Sequence, residues 1–169
     1  PVPRVAETPK GMLNAIGLQN PGVHAFLEQE LPRARKLDTV LIANIAGSTV
    51  EEYEKIAELL SESPVDMLEL NISCPNVKEG CVSFSSTPWS VENITSAVKA
   101  RCGGKPLMVK LTPNSGDIAA IARAAEQGGA DAVSLINTRT GMAVDVKTRR
   151  PILKNVTGGL SGPAIRPVA

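Results

Sequence analysis

Aromatic side chains are nearly missing from this chain, which has one Trp, one Tyr and two Phe among 169 residues. So sparse a set offers no platform on which nucleic-acid bases could stack. Charge excess is missing as well, because 18 Lys and Arg stand against 17 Asp and Glu. A net charge of +1 provides no field suited to nucleic acid or to an anionic membrane surface, and no long Lys/Arg run occurs. No apolar stretch reaches the roughly 18 to 20 residues that span a bilayer, and Pro1-Val2-Pro3-Arg4 does not read as a signal peptide. Cysteine is confined to Cys74, Cys81 and Cys102, an odd number without a CxxC pair. That spacing argues against a disulfide framework or a zinc site and makes a reducing cytoplasm the expected location. A Cys74–Cys81 disulfide is a minor alternative. The single histidine, His24, falls on a predicted helix, which removes Ser-His-Asp and Cys-His catalysis, and no residue cluster has metal-ligand spacing.

What is present is an alternation of two kinds of segment, in a chain whose 43% hydrophobic content can build one core. Residues 39–45, 66–72, 106–111 and 131–136 are short, nearly continuous apolar runs, as expected of parallel strands covered on both faces. Amphipathic helices are predicted between them. One is capped by Ser48-Thr49 and runs from about Val50 to Leu60 with Glu51, Glu52 and Glu54 near its positive end. A second opens at Thr87-Pro88 and continues through Val98; a third starts at Asp117 and stops at Gly128-Gly129. Residues 23–37 predict a further helix disturbed at Pro32.

This βαβ rhythm belongs either to an open doubly wound sheet or to a closed barrel. No Gly-x-Gly-x-x-Gly follows any strand, so the dinucleotide-binding open sheet loses its main support. Polar residues recur instead at successive strand ends, at Asn44, Asn71 to Asn76, Lys110 and Asn137-Thr138. In a (β/α)8 TIM barrel these ends meet on the face that carries the active site. The four or five expected strands (the fifth at residues 154–157) fall short of eight, and a full barrel needs about 250 residues. The reading is therefore of a single domain over residues 1–169 that is the central fragment of a barrel, lacking strands on both sides.

Among the candidate chemical groups, Cys74 stands at a strand end in Asn71-Ile72-Ser73-Cys74-Pro75-Asn76, flanked by two amides that suit a planar, amide-rich ligand. A thiol titrates near 8.5 and acts as a base where its surroundings favour the thiolate; the plainer alternative is a small buried hydrophobe. Lys110 ends an apolar strand, where an ammonium requires an anionic or electron-rich partner, either a cofactor or a neighbouring carboxylate. The backbone of Asn14-Ala15-Ile16-Gly17-Leu18 could bind carbonyl or carboxylate oxygens, and Thr157-Gly158-Gly159-Leu160-Ser161-Gly162 could cradle a phosphate ahead of a helix or be an ordinary loop.

Taken together, these segments resemble class 1 dihydroorotate dehydrogenase, the FMN enzyme of pyrimidine biosynthesis. The matching stretches are residues 14–22, 43–47, 71–76, 109–111, 134–138 and 158–165, in the family's order and nearly end to end. The resemblance implies that Cys74 removes a proton from dihydroorotate while hydride passes to FMN. It implies that Asn14, the backbone of Ile16, Gly17 and Leu18, Asn71, Asn76, Asn137 and Thr138 hold the substrate. Asn44, Asn71, Lys110, Ile136 and Gly162 would touch FMN, with Lys110 balancing charge on the reduced ring. Cys at the base position points to the soluble class rather than the membrane-bound class, which uses Ser. The wording of residues 14–22 is most similar to the NAD-linked type, which relays electrons through a second subunit containing FAD and an iron–sulfur cluster.

The chain departs from the family at Cys81, where Gly is usual, and at Ser83-Phe84-Ser85, where Ala-Phe-Gly is usual. Two other readings stand beside the main one. The first is the flavin domain of a dihydropyrimidine dehydrogenase; the second is a non-catalytic barrel piece whose open edges require association, including as a homo-oligomer.

Overall fold

A computed structural model of the chain describes residues 2–73 and 84–169. In chain order the elements are strands β1 (Val5–Thr8) and β2 (Gly11–Asn14), a short helical segment, β3 (Ile42–Ile45), helix α3 (Val50–Ser61), β4 (Met67–Asn71), α4 (Pro88–Lys99), β5 (Leu107–Lys110), α5 (Ile118–Gln127), β6 (Ala132–Ser134), β7 (Arg139–Gly141), β8 (Val144–Asp145), β9 (Arg150–Pro151), β10 (Gly158–Ser161) and a closing 3-10 helix (Pro163–Val168). The helical segment before β3 consists of α1 (Val23–Ala25), a π-helical stretch (Phe26–Glu30) and α2 (Leu31–Ala34). Pro32 lies in the first turn of α2, so the disturbance expected at that proline is a change of helical pitch just before it, and the helix ends at Ala34 rather than Leu37. Among the described residues no helix is long and apolar enough to cross a membrane.

The chain divides into two compact units. The larger, residues 20–111 and 115–135, holds a parallel sheet in the order β3-β4-β5-β6 with helical crossovers. Its three long helices begin where the sequence places them. Thr49 accepts a hydrogen bond from the Glu52 N–H, Asp117 accepts one from the Ala120 N–H, and Thr87 forms a reciprocal capping box with Ser90 ahead of Pro88. Helical spacing then puts Tyr53, Ala57 and Leu60 on the buried face of α3, Val91, Ile94 and Val98 on that of α4, and Ile121, Ala124 and Ala125 on that of α5. These faces pack with Leu68, Leu70, Ile72, Leu107, Val109 and Leu111 of the sheet into one hydrophobic core. Helices α4 and α5 approach so closely at Gly128 that a Cβ there would lie 2.7 Å from both the Glu92 carbonyl oxygen and Thr95 Cβ.

A repeated device sets the entry of the parallel strands. Asp66, just before β4, accepts from the Leu41 N–H at 2.8 Å; Asp131, just before β6, accepts from the Leu107 N–H at 2.7 Å. Each aspartate fastens its strand to the neighbouring one at the end opposite the polar strand ends, which helps fix the register.

The expectation of strands covered on both faces needs correction. Burial alternates along β3 to β5, with Ala43, Ile45, Leu68, Leu70, Leu107 and Val109 buried, while Ile42 of β3 is 50% exposed. The helices cover one face, and the opposite face carries Asn44, Glu69, Met108 and Lys110 among its residues. The expected run at 131–136 forms a strand only at Ala132–Ser134.

The smaller unit, residues 1–19, 112–114 and 136–169, was not anticipated. It holds an antiparallel sheet in the order β1-β2-β10-β7, with Asn14 opposite Gly159 and Thr140 opposite Gly159 on the other side, together with the β8–β9 hairpin. Ala6, Leu13 and Leu153 form its small core. Two sequence expectations fail here. Residues 154–157 form a turn, not a strand, and residues 158–161, expected in a loop, form a strand. The chain also does not begin without strands, since β1 and β2 form a hairpin.

Candidate functional site

Parallel strands present their last residues on one edge of the sheet, and in the larger unit the register decides which of them meet. Asn44 pairs with Glu69 across β3 and β4, Asn71 with Lys110 across β4 and β5, and Lys110 with Ser134 across β5 and β6. Three expected flavin contacts, Asn44, Asn71 and Lys110, are thereby gathered near the carboxyl edge of one sheet.

Asn71 is held from two sides. Its side-chain oxygen accepts from the Ser73 N–H at 3.2 Å, turning the chain as it leaves β4, and its carbonyl accepts from the Tyr53 hydroxyl at 2.7 Å. Tyr53 is fully buried and meets Phe84 edge to face, with ring centroids 5.6 Å apart. Half of the chain's four aromatic rings thus support the strand end that leads to Cys74. The Ser73 hydroxyl is buried without a hydrogen-bond partner among the described residues. Cys74 and Asn76 lie outside the described residues, as does Cys81.

Lys110 is not isolated. Its ammonium lies 3.9 Å from Glu69, which also accepts hydrogen bonds from the Asn44 side-chain amide and, at 2.7 Å, from the Ser134 hydroxyl. Of the two partners weighed for Lys110, the neighbouring carboxylate is therefore present. Glu69 and Ser134 were missed in the sequence. The signal for Glu69 was a lone carboxylate between two buried leucines, one residue pair away from a strand-end lysine.

The remaining expected contacts belong to the smaller unit. Asn14 ends β2, with its side-chain amide 3.5 Å from the Gly159 carbonyl and its side-chain oxygen 3.4 Å from the Ile16 N–H. Ile16 and Leu18 are exposed, and Gly17 between them takes a φ of 81°, a conformation glycine adopts at little cost. Ile136, Asn137 and Thr138 occupy the connection between β6 and β7. Thr138 donates its backbone N–H to the Asn137 side chain at 2.8 Å, and its carbonyl accepts from the Asn114 amide at 3.0 Å. Asn114 also accepts from the Thr140 N–H at 3.1 Å, so its side chain bridges Thr138 and Thr140 where the chain enters β7. Gly162, with φ 108°, leads into the closing 3-10 helix.

His24 is exposed on α1, and Cys102 is fully buried, where burial raises its thiol above the ordinary range and keeps it protonated.

Residues 1–169 match the family profile described as dihydroorotate dehydrogenase. All of this chain aligns at 59% identity with 56% of the dihydroorotate dehydrogenase B (NAD(+)), catalytic subunit, of Alkaliphilus oremlandii, and at 59% identity with 54% of the protein of the same name from Geobacillus kaustophilus. The chain spans about half the length of the curated relatives it matches. Among solved structures, the carboxyl transferase domain of Rhizobium etli pyruvate carboxylase aligns with a TM-score of 0.46 at 16% identity, over 62% of this chain and 18% of that one.

Proposed function

Because the chain belongs to the dihydroorotate dehydrogenase family, matched from residue 1 to residue 169, we propose that it is the central portion of a catalytic subunit that oxidises dihydroorotate to orotate in pyrimidine biosynthesis. The observation that carries this reading is the meeting of Asn71, Lys110 and Ser134 on adjacent strands of a parallel sheet, with Asn71 three positions ahead of Cys74 in the sequence. The proposed fold of the whole protein is a (β/α)8 barrel, with these residues part of a single barrel domain.

The proposed cofactor is FMN, which when bound supplies a two-electron acceptor for the substrate's hydride. The donor set fits such a ring. An ammonium and strand-end amides match carbonyl oxygens and N–H groups along a flavin edge, and the Ser73 hydroxyl, buried without a partner among the described residues, is a further group that a bound molecule could satisfy. Asn44, Asn71, Lys110, Ile136 and Gly162 would hold the flavin. Asn14, Ile16, Gly17, Leu18, Asn71, Asn76, Asn137 and Thr138 would hold the dihydropyrimidine and its carboxylate. Cys74, as thiolate, takes a proton from the ring carbon beside the one that loses hydride, so that a double bond forms between the two. Lys110 offsets negative charge that accumulates on the flavin side. The relatives' naming as catalytic subunits of an NAD(+) enzyme supports a partner electron-transfer subunit, which in this reading contains FAD and an iron–sulfur cluster and serves a cytoplasmic, homo-oligomeric catalytic protein.

The direct test is the flavin content of the full-length protein. It should purify yellow and release FMN on denaturation, and Lys110→Ala should weaken FMN retention; a colourless protein that takes up no added FMN contradicts the reading.

A further inference from the structure

Glu69 is a charged group on the polar face of the sheet to which the proposed reaction gives no task. A carboxylate in mid-strand whose side chain is only 16% exposed is costly unless it is paired and hydrogen-bonded. The flanking strands meet that requirement. Asn44 on β3 donates its side-chain N–H to Oε2, Ser134 on β6 donates its hydroxyl to Oε1 at 2.7 Å, and Lys110 on β5 brings its ammonium to 3.9 Å from Oε2. An ionised carboxylate only accepts, so Asn44 must turn its N–H2 toward Glu69 and its oxygen away. The Lys110 contact is a charge pair beyond hydrogen-bond reach, so Glu69 itself takes none of the ammonium hydrogens.

We propose that Glu69 is a positioning residue for the flavin: held by Asn44 and Ser134, its carboxylate restrains the Lys110 ammonium and offsets part of its charge. It thereby limits how strongly this face favours an anionic reduced flavin over the oxidised one. The inference rests on the reading of Lys110 as a flavin contact. Removing a fixed negative charge beside the ammonium raises the local potential and frees the ammonium to approach the ring.

The test is the midpoint potential of the bound flavin in the full-length holoprotein, measured by spectroelectrochemical titration of Glu69→Gln, Ser134→Ala and Lys110→Ala. Glu69→Gln should raise the potential, corresponding to about a tenfold gain in preference for reduced flavin, or ~30 mV for a two-electron couple. Ser134→Ala keeps the charge and removes one of its two clamps, so it should shift the potential upward by less. Lys110→Ala should lower it. If Lys110→Ala lowers the potential while a folded Glu69→Gln fails to raise it, the role of Glu69 is overturned and the flavin reading stands. If Lys110→Ala leaves the potential unchanged, the flavin reading of Lys110 fails and the inference fails with it. Should Glu69→Gln not fold, Ser134→Ala decides, and an unchanged potential there overturns the proposal.

Discussion

The Tyr53 hydroxyl, on the buried face of α3, donates to the Asn71 carbonyl at 2.7 Å and so ties the first helical crossover to the last residue of β4. The bond is fully enclosed, and its loss removes a donor where water does not readily substitute. Tyr53→Phe keeps the ring and its edge-on contact with Phe84, so the change isolates the hydroxyl. It should cost about 1 to 2 kcal/mol of stability in urea unfolding with little change in m-value.

The Asp131 carboxylate accepts from the Lys99 ammonium at 2.5 Å and from the Leu107 N–H at 2.7 Å. The hydrogen bond from Lys99, and then that from the Leu107 backbone, hold its carboxyl below the usual carboxylate range. A folded value below the unfolded value of about 3.9 means that the carboxylate stabilises the fold above that pH and loses this contribution as pH falls through the folded value. Asp131→Asn should therefore be less stable near neutrality by roughly 1 kcal/mol, a figure discounted for the side chain's exposure. Thermal melts of both proteins should converge as the pH drops below about 4.

Gly159 of β10 packs against Thr138, where an added Cβ would lie 2.1 Å from Oγ1 and 2.7 Å from Cβ. Gly159→Ala should displace Thr138 and destabilise the antiparallel sheet by about 1 to 3 kcal/mol. Gly116→Ala is the control, because nothing lies within 4 Å of its added Cβ; its effect should stay within about 0.5 kcal/mol. Equal effects of the two substitutions would refute the packing assigned to Gly159.

Cys74→Ser tests the proposed base. A hydroxyl gives up its proton far less readily than a thiol, so turnover of the full-length enzyme should fall by about 100-fold near neutral pH and recover partly at alkaline pH. Full turnover near neutrality would remove Cys74 from that role.

The larger unit was legible in the sequence because its signals are local. Thr49, Thr87 and Asp117 announce their helices within one turn, and the apolar faces of α3, α4 and α5 follow from spacing alone. The antiparallel sheet was not legible. Its strands are about four residues long, glycine-rich and weakly apolar, and β2 finds its partner β10 only through pairs such as Asn14 with Gly159, 145 residues apart. Glu69 was hidden for a similar reason. Leu68-Glu69-Leu70 reads as ordinary alternation, and only the register of β3, β4, β5 and β6 brings Asn44, Lys110 and Ser134 around it. The Asn71–Asn76 motif was conspicuous because polar residues interrupt an apolar run at a strand end.

In the proposed reaction this chain supplies the proton-accepting and flavin-facing residues of a dihydroorotate oxidation. Anaerobic mixing of the full-length protein with dihydroorotate, followed by flavin absorbance, tests it most directly. The flavin bands should bleach as orotate forms, and Cys74→Ser should slow the bleaching near neutral pH. Flavin bands that persist in the presence of excess dihydroorotate would contradict it.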